Sequence, residues 1–391
     1  MSFALRLEEA GALNIPTRIA LALICTLFLA WSAVHGATPR APDVAGTSHV
    51  LMDFHSGRIL SAAEPDLRVE PASLTKMMTT YVVLREVARG GVALEDEVLV
   101  SEKAWRMIGS RMFIEVGERV SVKALLKGVI IQSGNDASVA LAEHVAGSEE
   151  SFADLMNQTA VRLGLDDTHF VNATGLPHED HYTTAADMAR LAAALIRDFP
   201  EHYEWHAIKS FTYNDITQNN RNRLLWQDES VDGIKTGHTE AAGYCLVASA
   251  EREGMRLISA VMGTDSENAR AVETRKLLNW GFRFFETRRL YGAGEELTRI
   301  RVWKGEPAEV AAGLARDLHV TAPRGRLGDV AAQMTLDGEV LAPVARGERL
   351  GVARVRLGGE ALAEVPLVAL GASAEGGLWT RLVDHVRLLL K

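Results

Sequence analysis

Cysteine is nearly missing from this 391-residue chain, which holds only Cys25 and Cys245. Cys25 lies in an apolar N-terminal run. If that run is removed, one thiol is left and no internal disulfide can form. A chain of this length buries enough apolar surface to fold without one. An excess of positive charge is missing too. Lys and Arg number 42 against 51 Asp and Glu, a formal net charge of -9, and no long block of one sign occurs. That excludes the basic face a nucleic-acid binder needs. Long hydrophobic stretches are absent except at 19–33, and its roughly 15 residues are short for a spanning helix. Metal-ligand spacing is also lacking. His202 and His206 are four apart, but Tyr203 stands where a zinc peptidase has Glu. His178 and His181 share a polar loop. No metal and no other cofactor is expected.

What is present is a globular composition, 47% hydrophobic and 24% charged, long enough for two domains or three. Residues 1–37 read as a signal peptide. Arg18 precedes the apolar run, and the small residues Ala33, Gly36 and Ala37 follow it, so cleavage is expected near Gly36 or Ala37. The long leading segment carries Glu8 and Glu9, which leaves an uncleaved anchor or a later start site as alternatives. Ile24 is too bulky for lipoprotein cleavage before Cys25. An exported protein at the outer face of the cytoplasmic membrane, in the periplasm, is the resulting expectation.

Further along, periodicity predicts strands at 49–54 and 58–62, then helices at 74–88, 122–132, 137–145, 151–163 and 184–197. Strands return at 210–213, 231–235, 244–250 and 256–262, and a helix over 268–286 closes the region. Strands at both ends with helices between them imply one mixed α/β (α+β) domain, 38–288, whose sheet joins its first and last parts. Residues 289–372 alternate in short runs at 298–302, 318–321, 330–336, 349–357 and 364–370, the texture of a small all-β sandwich. Residues 373–391 end in an amphipathic helix. Leu378, Trp379, Leu382, Val383, Val386, Leu389 and Leu390 share one face; Arg381, Asp384, His385, Arg387 and Lys391 share the other; Leu388 is a misfit. Such a helix either docks on the body or lies in a membrane interface, and export favours the membrane surface as partner. Gly376-Gly377 before it reads as a hinge.

Three short motifs carry the chemistry. Ser73-Leu74-Thr75-Lys76 puts a hydroxyl and an amine on one face at the start of a helix, where the backbone N–H groups are free and the dipole is positive. Alone, it equally suits a helix cap with a solvated lysine. Ser133-Gly134-Asn135 breaks two helical patterns, so both polar side chains can point into a cleft. Lys235-Thr236-Gly237 closes the strand 231–235, and Gly237 removes a side chain where a substrate would run. All three, in this order and in one domain, point to a shared site.

In this order the motifs resemble those of penicillin-recognising serine enzymes. The segments Pro71–Met78, Gln132–Ala137, Val231–Thr239 and Leu277–Thr287, with Pro323-Arg324-Gly325-Arg326 beyond, are similar to low-molecular-mass penicillin-binding proteins of the D-alanyl-D-alanine carboxypeptidase type, from about His49 to Lys391. The resemblance implies an antiparallel sheet flanked by helices, a β-lactamase-like domain. It implies removal of terminal D-alanine from a peptidoglycan pentapeptide, with β-lactams acylating the same serine. Ser73 is then the nucleophile, Lys76 a neutral base helped by the cation Lys235, and Ser133 a proton relay. Asn135 fixes Lys76 and the substrate amide. The N–H groups of Ser73 and His238 form the oxyanion hole, while Lys235 and Thr236, with Arg270 as a second contact, hold the terminal carboxylate. Thr174-Gly175-Leu176-Pro177 departs from the His-Gly-Leu-Asp frequent in that group. A serine β-lactamase would need a deacylating Glu-x-x-x-Asn between the second and third motifs, and none is found. A non-catalytic scaffold is the other alternative. Cys245, beside the third motif, reads as a small buried residue.

Overall fold

In the strand Ser48–Asp53 (β1) every residue is buried, so both faces of the sheet it belongs to are covered. Its alternation sorts two cores. Val50 and Met52 join a helical cluster on one side, and Leu51 joins a smaller cluster on the other. The computed structural model describes residues 38–390; the signal-peptide expectation for 1–37 lies outside the described residues. β1 pairs with β2 (Ile59–Ala63). The helices α1 (Thr75–Ala88), α2 (Val122–Lys127), α3 (Asn135–Ala146), α4 (Glu149–Leu163) and α5 (Ala185–Asp198) follow. A hairpin, β3 (Ser210–Tyr213) and β4 (Ile216–Asn219), stands apart from the main sheet. Then come β5 (Val231–Thr239), β6 (Gly243–Arg252), β7 (Met255–Thr264) and the helix α6 (Glu267–Phe284).

The main sheet is antiparallel in the order β2-β1-β7-β6-β5. Its first and last segments are neighbours, as the pattern of strands implied. Leu277, Leu278 and Phe282 of α6 cover one face, and the α1–α5 layer covers the other. β5 is left as an edge. α1 is buried continuously from Thr75 to Leu84, which places Lys76 in the core layer.

Four expectations need correction. The third motif does not close a strand: β5 continues to Thr239, so Lys235-Thr236-Gly237 lies inside it, held by pairs such as Gly237 with Cys245 and His238 with Tyr244. The helix of 122–132 ends at Lys127. Gly128–Gln132 follows as a wider, π-type turn, ending at Ser133 in the left-handed region. The last helix of the domain stops at Phe284. Phe285–Tyr291 (β8) is a strand paired with Leu318–Pro323, so a boundary at 288 falls inside an element. The strand Glu309–Gly313, made largely of small residues, had no alternation to reveal it.

The C-terminal part is all-β. With β9 (Thr298–Arg301), β10 (Glu309–Gly313), β11 (Leu318–Pro323), β12 (Val330–Leu336), β13 (Arg349–Leu357) and β14 (Glu360–Ala369), its five-stranded sheet runs β9-β10-β14-β13-β12. The β8–β11 pair contributes Leu290, Leu318 and Val320 to the same core. A buried carboxylate ties the two parts together. Asp53 accepts from Ser56 and Thr287, both hydroxyls also contact Thr321, and Arg58 reaches Glu360 at 2.6 Å.

The terminal helix α7 (Leu378–Leu389) docks by its polar side. Asp384 is buried, accepting from Arg301 at 2.9 Å and from the Lys304 amide at 2.8 Å. Leu378, Trp379, Leu382, Val386 and Leu389 stay exposed. Gly376-Gly377 is no open hinge at its first residue. The Gly376 amide donates to the Lys304 carbonyl, and Ala374–Glu375 pair with Gly305–Glu306. Among the described residues no helix is long and apolar enough to cross a membrane.

Candidate active site

Ser73 sits in a single tight turn, Ala72–Leu74, directly before α1. Ala72 in that turn has φ +48, an unusual value for a non-glycine residue. One helical turn on, Lys76 Nζ lies 3.1 Å from Ser73 Oγ, 2.7 Å from Asn135 Oδ1 and 2.6 Å from the Thr174 carbonyl oxygen. A neutral amine has two N–H bonds and one lone pair. With two fixed acceptors taking the N–H bonds, the lone pair faces the Ser73 hydroxyl. The Lys76 pKa is lowered to about 7. Burial is the largest cause, the Asp136 carboxylate opposes it, and the Arg221 charge adds to it.

Ser133 is held at φ +63 by the end of the π-type turn. Its hydroxyl is buried with no partner. A strained, unsatisfied hydroxyl in a cleft is a recurrent mark of a working site. Asn135 begins α3. Its Oδ1 takes the Lys76 bond, and its Nδ2 donates to the Ile108 carbonyl at 2.6 Å.

Gly237 also has a packing reason. A Cβ there would press on Pro71 O, Leu74 and Ala72 at 3.1–3.3 Å. The glycine lets β5 lie against the serine turn. Lys235 is buried and donates to the Thr236 carbonyl at 2.9 Å. Its pKa is pushed well down by burial, then by Lys76, Arg221 and Arg270. The helping cation was expected to be Lys235; burial leads, Arg221 is the cation that lowers Lys76, and Lys235 is itself depressed. Thr236 is buried, and the His238 ring is exposed, 4.0 Å from Tyr244. Arg270 is buried; its guanidinium donates to the Gly237 carbonyl and lies 5.6 Å from the Tyr244 ring. The cysteine beside the motif, Cys245, is wholly buried, its thiol pushed up to about 11 by burial.

Several residues at the site were not foreseen. The Thr174 carbonyl is one, since backbone acceptors leave no mark in a sequence. Arg221, in the polar run Asn219–Arg223, acts on both lysines and Arg270. Asp136 was visible only as the residue after Asn135. One histidine of each pair has a structural partner: His181 Nε2 meets Thr75 Oγ1 at 2.8 Å, and His206 Nδ1 meets the Ile234 carbonyl at 3.1 Å. Burial lowers both to about 4, so they stay neutral near pH 7.

A serine and a base lysine on one helix turn, a second serine with an asparagine, and a lysine-bearing edge strand make this a penicillin-recognising, active-serine fold. Residues 35–266 match the family model described as D-alanyl-D-alanine carboxypeptidase, and residues 285–375 match that of the penicillin-binding protein 5 C-terminal domain. The D-alanyl-D-alanine carboxypeptidase DacA of Escherichia coli is 41% identical, over 94% of each chain. DacC of the same organism is 45% identical over 90% of each. The crystal structure of penicillin binding protein 5 from Haemophilus influenzae superposes with a TM-score of 0.83 at 44% identity, covering 87% of this chain and 100% of that one. The chain belongs to the D-alanyl-D-alanine carboxypeptidase family.

Proposed function

We infer that this chain is a serine-type D-Ala-D-Ala carboxypeptidase that trims the terminal D-alanine from peptidoglycan pentapeptides. The observation that carries this reading is the set of three bonds around Lys76 Nζ, which aim a depressed amine at Ser73. Ser73 Oγ attacks the carbonyl between the two D-alanines as its proton passes to Lys76. Ser133 relays that proton to the leaving amine, D-alanine departs, and water hydrolyses the acyl-enzyme. The Ser73 and His238 amides receive the oxyanion. Lys235 and Thr236, with Arg270, frame the terminal carboxylate, and a carboxylate beside Lys235 raises its pKa again. A β-lactam acylates Ser73 by the same route.

A β-lactamase reading needs a free carboxylate to activate water. Glu149 is an acidic residue that reaches the 172–176 loop, but it accepts from the Ala173 amide and pairs with Lys103 at 3.0 Å. Its commitment favours a long-lived penicillin adduct.

The exposed apolar face of α7, with Arg381 and Arg387 beside it, supports attachment to a membrane surface. Together with a cleaved signal at 1–37, it supports residence on the periplasmic face of the cytoplasmic membrane and a part in wall remodelling and cell shape. Mass spectrometry after penicillin treatment tests the core of this reading. The expected result is one adduct on Ser73 that persists for many turnovers' worth of time. No adduct, or an adduct elsewhere, would overturn it.

A further inference from the structure

We propose that Asp136 is a positioning residue for acylation: its carboxylate ties the strap 108–114 to the first turn of α3, and so holds Asn135 against Lys76. This proposal rests on the carboxypeptidase reading above.

Asp136 is almost fully buried. Its Oδ1 accepts from the amides of Met112 at 2.8 Å and Ala137 at 2.9 Å. Its Oδ2 accepts from the amides of Phe113 at 2.8 Å and Ile114 at 3.4 Å. A buried carboxylate saturated by backbone N–H groups is held firmly and is costly to remove. The same strap is bonded to the neighbouring residue. The Asn135 amide donates to the Ser110 carbonyl at 2.7 Å, and Asn135 Nδ2 donates to the Ile108 carbonyl. Because that second bond fixes the amide group of Asn135, its Oδ1 is the atom left for Lys76. The hairpin β3–β4 adds a last tie, Gln218 Nε2 to the Arg111 carbonyl at 3.1 Å. Met112 itself is packed under Gly128 and Gly134, where a Cβ would strike it. The order of the Lys76–Asn135 bond is thus inherited from the strap, and the strap from Asp136.

The carboxylate has a second consequence. Among the described residues it is the group that pulls the Lys76 pKa upward, against burial and against Arg221. The charged or titratable groups facing Lys76 are Asp136 from α3, Arg221 from the loop before β5, Lys235 from β5, and His181 from the loop before α5. Removing Asp136 leaves only cationic or neutral neighbours, so Lys76 would lose its proton at lower pH. Acylation needs the neutral amine, so its acid limb would move down.

The test measures the second-order rate of acylation by a fluorescent penicillin from pH 5 to 9, with melting temperatures alongside, for the wild type, Asp136→Asn and Gly134→Ala. Asn at 136 keeps shape but loses charge and one acceptor. Ala at 134 places a Cβ 2.9 Å from Asp136 Oδ1 and 3.2 Å from the Met112 amide while removing no charge. The expected result is a loss of about 10- to 100-fold for both variants, as for other small misplacements of a catalytic group. Only Asp136→Asn should shift the acid limb to lower pH. Wild-type rates in Gly134→Ala, or an unmoved limb in a folded Asp136→Asn, would overturn the proposal. If Asp136→Asn does not fold, Gly134→Ala decides. Loss of the Ser73 adduct in the wild type would instead refute the carboxypeptidase reading itself.

Discussion

Gly175 packs against Ala72 so closely that a Cβ on the glycine would run into the alanine carbonyl, and both residues have positive φ. The contact locks the 172–176 loop onto the serine turn. It also sets the Thr174 carbonyl, one residue away, at 2.6 Å from Lys76 Nζ. The proline and threonine that replace the usual loop residues leave this backbone contact in place, because it needs only the glycine.

Gly175→Ala should therefore damage catalysis without touching any catalytic side chain. The new methyl must push the loop off Ala72, and the residue keeps a φ that disfavours alanine, a cost of about 1–3 kcal/mol. We expect penicillin acylation to fall about 100-fold, with a lowered melting temperature. Kinetics at the wild-type rate in this variant would show that the loop does not position Lys76.

Ser73→Ala should yield no penicillin adduct by mass spectrometry. Release of D-alanine from a D-Ala-D-Ala peptide should fall by at least about a thousandfold, as for other deleted nucleophiles. Ser133→Ala, which keeps the nucleophile, should slow acylation yet still give an adduct at Ser73.

With its pKa near 7, Lys76 should impose an acid limb on acylation at about that pH, the rate rising as the amine loses its proton. The same shift predicts a stability signature. Between about 7 and the ordinary lysine value of 10.5 the unfolded chain holds a proton that the folded chain lacks, so stability rises with pH across that window and is lost as pH falls back through it. Urea unfolding at several pH values should show this slope in the wild type and a shallower one in Lys76→Met.

The paired substitution Leu382→Asp with Val386→Asp should abolish sedimentation with phospholipid vesicles, since it puts charge on the exposed face of α7. Asp384→Ala changes the docked face instead. It should retain vesicle binding, while the helix becomes easier to cleave by protease. Vesicle binding unchanged in the double variant would refute membrane attachment by this helix.

Much of this protein was legible in its residues. The buried runs of β1, β5, β6 and β7 alternate or persist as sheet strands must, and the three motifs mark chemistry that needs a hydroxyl, an amine and a carboxylate clamp. What could not be read was any property carried by backbone or by distance. Lys235-Thr236-Gly237 reads in sequence as the close of the strand 231–235, yet cross-strand pairing with Cys245 and Tyr244 continues it to Thr239. The helix pattern ran through Phe285 because apolar spacing does not record which ladder will claim its amides. α7 was recognisable as amphipathic, but which face would be buried depended on Asp384 finding Arg301 and the Lys304 amide, partners some 80 residues away. The sequence by itself determined that Ser73, Lys76, Ser133 and Lys235 belong to one site. Only the tertiary structure decided how the base is tuned, because burial, the Thr174 carbonyl and the opposed charges of Asp136 and Arg221 meet at Lys76 only when the chain is folded.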